Sequence, residues 1–324
     1  MDIRYRLFEE NDLAAVRTLW EENTTWGPLT AEMFNRYMVE WPLGPAGGVL
    51  AIDDASGEIV GQFAFVPSLV QVADRQLRAF RPAAPIIAKR VRFSSPNPLK
   101  HPAAGMYLHA VKALRARGDG LIYMVPDPRW MRFFRMFPGL VCGKFPLWSI
   151  PLPFAAPLAL PAGLSAAPMT KWDGRVDRLW ELGSRLHGCQ VVRDAQTLSW
   201  RTGTGEYRVT GIHRGDELIG VVAARAKGDR QWLICDLLFA DADDALIGVL
   251  AEAVNQGNEA AAAAPPERPI HKAAVLVTPI MERAARALGF TRDAYDFPLV
   301  IQILDRSISA ADLAPDRWFV SAND

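Results

Sequence analysis

Four groups of residues along the chain have side chains and spacings able to do chemistry. In the first, Arg193-Asp194-Ala195, Leu198, Trp200-Arg201 and Tyr207 set two guanidinium groups among aromatic rings. Guanidinium forks hold anions bidentately and aromatic faces stack on flat or sugar-like groups, so Arg193, Trp200 and Arg201 are candidate substrate-binding residues. The same residues also read as an Arg–Asp pair with a packed tryptophan that fixes a loop, and this plainer reading is preferred. In the second group, Arg81, Lys89, Arg90 and Arg92 fall in a strand-like stretch. Alternation would put Arg90 and Arg92 on one face and Lys89 on the other, as a solvated edge or as a groove for an acidic substrate. The third group is Asp241, Asp243 and Asp244, just ahead of a helical pattern. Carboxylates there suit the helix dipole, and capping is preferred over metal binding. The fourth is Cys142, Cys189 and Cys235, far apart and among apolar neighbours. They show neither metal-ligand nor disulfide spacing and are expected to be buried thiols; no metal is expected.

The elements that must position these groups follow from the hydrophobic pattern. With 324 residues the chain is long for one core, and two domains of about 150 residues fit the size rule. Formal charge is zero, from 36 basic and 36 acidic residues, so no global field favours nucleic acid. The opening MDIRYRLFEEND lacks the apolar core of a signal peptide, and a cytoplasmic protein is expected. Residues Phe145 to Thr170 carry no charge, but six prolines from Pro146 to Pro168 forbid a continuous helix there, so no membrane insertion is expected.

That Pro/Ala-rich stretch, taken as a linker over 153–170, separates two halves, 1–152 and 171–324. In the first half a strand over Ile3–Phe8 leads to a helix opened by Asn11 or Asp12. A helix over Thr30–Val39 follows, then a hairpin of Gly48–Ile52 and Ile59–Val66 around Asp53–Glu58. Strands near Arg75–Phe80 and Pro85–Phe93, a helix over Ala103–Arg117, a strand over Leu121–Val125, a helix across Asp127–Met136 and a strand over Leu140–Ile150 complete it. The second half repeats much of this: a helix over Arg175–Leu186, a hairpin of Tyr207–Ile212 and Leu218–Ala224, and a strand over Trp232–Phe239. Then come a helix over Ala245–Val254, a low-complexity loop over Ala260–Pro266, a strand over Ala273–Val277, a helix over Ile280–Leu288 and a strand over Leu299–Leu304. Hairpins imply antiparallel pairing, so the expected class is α/β (α+β), each half a mixed, mostly antiparallel sheet flanked by helices.

This order resembles the GNAT acyltransferase superfamily over most of both halves. IRYRLFEENDLAAVRTLW resembles the family's first strand and helix, GGVLAIDDASGEIVGQFAF its central hairpin, and VPDPRWMRFFRMFPGL and VTPIMERAARALGF its closing strand, turn and helix. The family's pattern Arg/Gln-x-x-Gly-x-Gly/Ala opens the helix that cradles the CoA pyrophosphate on backbone N–H groups. The resemblance places that role on Lys100, Ala103, Ala104, Gly105 and Met106, with Lys for Arg/Gln and Ala103 for the first Gly. A proline-started helix with small packing residues explains the same segment, and the sequence leaves both open. The second half has only its acidic cluster at this place.

The resemblance also implies a proton donor for the leaving thiolate, often a tyrosine on the late helix, where this chain has Phe133 and Phe134 or Ala284 and Ala285. Tyr107 and Tyr123 are the substitutes, and Asp127 falls where the family has Asn; Tyr123 also reads as a core aromatic, and His101 and His109 as surface or packing residues. The implied activity is direct transfer from acetyl-CoA or another acyl-CoA to a small amine or amino-sugar acceptor, in a tandem protein. The alternative is a non-catalytic GNAT-like binding or scaffold protein of an envelope or polysaccharide pathway. Fem aminoacyl transferases also pair two such domains, but neutral charge and the lack of a long helical arm disfavour a tRNA donor. The oligomeric state stays open, with a homodimer as one expectation.

Overall fold

The computed structural model describes residues 2–92, 97–228 and 230–324. In chain order the strands and helices are β1 (Ile3–Leu7), α1 (Leu13–Asn23), α2 (Ala31–Phe34), β2 (Gly47–Asp53), β3 (Ile59–Val72), β4 (Arg75–Ile87), α3 (Pro102–Ala116), β5 (Leu121–Met124), α4 (Met131–Phe134), β6 (Leu140–Pro151) and β7 (Leu164–Pro168). They continue as α5 (Gly174–Gly183), β8 (Cys189–Val191), α6 (Ala195–Thr202), β9 (Arg208–Arg214), β10 (Glu217–Lys227), β11 (Gln231–Phe239), α7 (Asp244–Ala263), β12 (Lys272–Leu276), α8 (Glu282–Ala287), β13 (Thr291–Ile303) and β14 (Trp318–Phe319). The class is mixed α/β with mostly antiparallel pairing, as the hairpin signals require.

The chain forms two compact units. Unit 1 holds residues 1–70, 76–142 and 299–310, and unit 2 holds 71–75, 143–298 and 311–324. In unit 1, β1 pairs antiparallel with β2 and β2 with β3. The parallel ladder of β4 with β5 joins Ala79 to Leu121 and Phe80 to Ile122, and β5 pairs antiparallel with the Val300–Ile303 end of β13. Its core packs Phe63, Phe65 and Phe80 of the sheet against Met106, Tyr107 and Ala110 of α3, and includes Val300 and Leu304. In unit 2, β7, β9, β10 and β11 pair antiparallel in succession, β11 runs parallel to β12, and β12 pairs antiparallel with the Leu147–Pro151 end of β6. Its core packs Trp148, Ile234, Phe239 and Val275 against the buried face of α7. Each unit thus contains a strand from the opposite half of the sequence.

Several elements differ from expectation for local reasons. The two strands expected over 75–93 form the single β4 and then a 3-10 turn at Lys89–Val91; Phe93, the expected end, lies outside the described residues. The basic run therefore does not alternate along a strand. Arg90 pairs with Asp53 and Glu58, and Arg92 donates to the Ile87 and Asn23 carbonyls. The stretch read as a linker contains β7, whose residues pair with β9. Helix α7 continues through Ala260–Ala263, because alanine has the best intrinsic helix propensity and the helix yields only before Pro265. The short β8 and α6 had no counterpart in the pattern reading. Of the thiols, Cys189 and Cys235 are buried as expected, whereas Cys142 is exposed. Burial pushes the Cys189 thiol up to about 12 and Cys235 to about 11, which keeps both protonated and unreactive at neutral pH.

Candidate functional site

Strand β3 sets one wall of a cavity in unit 1. Its alternation turns Gln62, Ala64 and Val66 to one side, while Phe63 and Phe65 enter the core. Across from them α1 presents Val16 and Trp20, one helical turn apart, and the α2 region adds Phe34 and Met38. Thr30 fixes the start of α2 by accepting the Met33 N–H at 3.1 Å. Small residues at Ala64, Ala83 and Ala84 leave open a cavity of about 240 Å³ with an almost wholly apolar wall. Ala84 is held at φ 46°, a left-handed conformation that costs a non-glycine residue about 1 kcal/mol.

Among the described residues two polar side chains reach this cavity, Gln62 and Arg81. Gln62 is 6% exposed, and its Nε2 donates to the Ala84 carbonyl at a long 3.5 Å. Its carboxamide oxygen has no hydrogen-bond partner among the described residues. Arg81 is already engaged within the protein. The Trp20 indole N–H donates to the Gly27 carbonyl at 2.9 Å, leaving the ring's carbon face as cavity wall. Sequence reasoning missed this site; its one signal was a lone glutamine inside the apolar run of β3.

The start of α3 is arranged differently from an anion cradle. His101 is the N-cap: its Nδ1 accepts the Ala103 N–H at 3.3 Å and its Nε2 lies 3.1 Å from the Arg92 carbonyl. With Nδ1 accepting, Nε2 carries the proton and donates. The His101 carbonyl takes the Ala104 N–H at 2.9 Å and the Gly105 N–H at 3.3 Å, and Pro102 has no N–H to offer. The N–H groups of the first turn are therefore satisfied inside the chain. Ala103, Ala104 and Met106 are fully buried, and a Cβ on Gly105 would lie 2.0 Å from the Tyr5 ring. Gly105 is small so that β1 can pack on α3. Lys100 is exposed beside this helix start. These residues do not fit a CoA pyrophosphate without displacement of His101; Ala103, Ala104, Gly105 and Met106 pack inward, and Lys100 stays exposed.

The candidate catalytic residues are separated. Tyr107 is fully buried among Phe133, Phe134 and Phe137, its hydroxyl has no partner among the described residues, and burial drives its pKa far above the ordinary phenol value. It serves as a core aromatic. Tyr123 is 1% exposed, with its hydroxyl 3.0 Å from that of Ser68, just past the point where the β4–β5 ladder ends. Asp127 caps the turn at Pro128–Trp130 by accepting the Arg129 N–H, and the Arg129 guanidinium beside it holds its carboxyl below the usual range.

In unit 2 the arginine group lies in the core. Arg193 has no exposed surface; it donates to Asp236 at 2.7 Å, to the Val191 carbonyl at 2.8 Å and to Asp324. Arg201 donates to Asp236 at 3.1 Å and to Asp324 at 2.8 Å, closing a buried ring of two guanidinium and two carboxylate groups. Both guanidinium groups considered as a substrate grip are thus engaged with Asp236 and Asp324, while Asp194 caps α6. Trp200 lies on α6 next to Arg201 in the sequence and is engaged within the protein. At α7, Asp241 accepts the Asp243 and Ala245 N–H groups at 3.1 and 3.0 Å, so a carboxylate already fills the anion position there. Among the described residues no group of three or more His, Cys, Asp or Glu side chains is placed to hold a metal, and no helix is long and apolar enough to cross a membrane.

No protein-family profile and no curated protein matches the sequence. Solved structures do. One is a GCN5-related N-acetyltransferase from Anabaena variabilis, at 15% identity and TM-score 0.68, with 94% of this chain and 73% of that one covered. A second is a conserved protein of unknown function and probable N-acyltransferase from Enterococcus faecalis, at 12%, 0.66, 94% and 73%. A third is a GCN5-related N-acetyltransferase from Kribbella flavida, at 13%, 0.63, 94% and 72%. Identity this low speaks to architecture alone: this chain has the fold of the GCN5-related N-acetyltransferases.

Proposed function

We propose that unit 1 is the working part of the protein and that it binds a compact apolar molecule in the cavity beneath α1 and α2, on an acyltransferase scaffold whose pyrophosphate cradle is closed. The observation that carries this reading is His101, whose ring nitrogen and carbonyl engage the Ala103, Ala104 and Gly105 N–H groups. A phosphate would have to displace that cap and would find Pro102 where a further donor is needed. In unit 2 the carboxylate of Asp241 makes the same position repulsive to an anion.

A second reading, acyl-CoA-dependent transfer to a small amine or amino sugar, draws on the β4–β5 pair. Its ladder stops at Phe80 and Ile122 although β4 runs on to Ile87, so the two strands part beside α3. There the Tyr123 hydroxyl, with Ser68, would be the proton donor and Lys100, just ahead of the His101 cap, a cation of the cradle. Calorimetric titration with CoA and acetyl-CoA, repeated on Lys100→Glu, separates the two. Absence of binding up to millimolar concentration supports the binding-protein reading. Saturable binding that the substitution abolishes establishes the second.

A further inference from the structure

We infer that the unit 1 cavity selects a neutral aromatic or branched aliphatic group carrying one hydrogen-bond donor, which the Gln62 carboxamide oxygen receives. This inference rests on the cavity reading proposed above and adds the class of ligand. Size sets the first limit. A cavity of 150 Å³ holds benzene, so one of about 240 Å³ takes roughly ten to fifteen non-hydrogen atoms. Wall chemistry sets the second. Trp20, Phe34 and Trp41 supply aromatic faces, and Met33 and Met38 adapt their shape to a ligand. A sugar would bring several hydroxyls to a wall that offers almost no partners, each left unpaired at a cost of about 1–3 kcal/mol.

Polarity sets the third limit. Gln62 is nine-tenths buried, its oxygen has no partner among the described residues, and its Nε2 contact with Ala84 is at the outer limit of a hydrogen bond. An acceptor that opens into an apolar cavity finds few partners alone and gains one once a ligand donor reaches it. Arg81, the cation lining the cavity, is already engaged within the protein, which argues for a neutral donor over a carboxylate. The ligand is thus an indole-like or comparable molecule: apolar in bulk, with a single N–H or O–H.

The test is calorimetric titration of the full chain with indole and with 1-methylindole, which differ in the donor. The inference expects indole to bind about tenfold more tightly, a preference lost in Gln62→Leu. Both probes should fail on Ala64→Phe, which fills the cavity. Gln62→Met serves as a second apolar variant should Gln62→Leu fold poorly. Equal affinity for the two probes, or a preference that survives in both Gln62 variants, overturns the inference and leaves the cavity as a binding site. No binding of either probe to the native chain overturns the cavity reading itself.

Discussion

His101 uses both ring nitrogens on backbone groups, and this defines what the start of α3 does. Only the neutral ring can accept at Nδ1, and partial burial lowers its pKa, so the cap holds at neutral pH and fails on acidification. Replacing His101 by Ala should lower stability by about 1 kcal/mol, read as a shift in the urea midpoint. His187 makes a stronger statement. It stacks on Phe319 at 4.5 Å, and burial, helped by the nearby Arg193 charge, lowers its pKa to about 3. A folded-state pKa below the unfolded value of about 6.5 means the unfolded chain takes up the proton first. Its contribution is complete above pH 6.5 and declines from there toward pH 3. Stability measured in urea should therefore fall by about 2 kcal/mol between pH 7 and pH 5, and His187→Phe should flatten that dependence. An unchanged slope in the variant would remove His187 as the cause.

Among elements, the contact of α3 with β1 is the most demanding. Adding a methyl at Gly105 forces the Tyr5 ring to move, so Gly105→Ala should cost about 1–3 kcal/mol, and Tyr5→Ala should recover part of that loss in a double-mutant cycle. Additive effects would contradict the contact. This is also the scale at which the sequence was most readable. The hairpins announced themselves through Asp53–Glu58 and Gly215-Asp216, and the glycine at 215 sits at φ 59° as a tight turn requires. Segments whose state depends on distant partners were not readable. Strand β7 exists because β9 offers it a ladder, and Arg193 is structural because Asp236 and Asp324 approach it from far along the chain. Nor does local sequence reveal that Gln62, the one polar side chain in the run Ile59–Val66, faces a cavity closed by two helices remote from it.

For the whole molecule, the two units do not follow the two halves of the chain. Val300 and Ile301 are fully buried in unit 1 against β5, so a fragment ending at residue 152 lacks one of its core strands. Such a fragment should not unfold cooperatively alone, and a peptide of residues 296–310 should restore part of its signal. A cooperative transition in the fragment would contradict this. Unit 2 depends in turn on its buried ring of charges. Arg193→Met would leave Asp236 and Asp324 half-compensated, at a cost of about 3–5 kcal/mol in chemical denaturation. The central claim, however, is that a GCN5-related fold here has a closed phosphate cradle and an open apolar cavity. It is tested most directly by placing acetyl-CoA and indole in parallel calorimetric titrations against the same preparation. The account predicts heat of binding from indole and none from acetyl-CoA; saturable acetyl-CoA binding with no response to indole would contradict it.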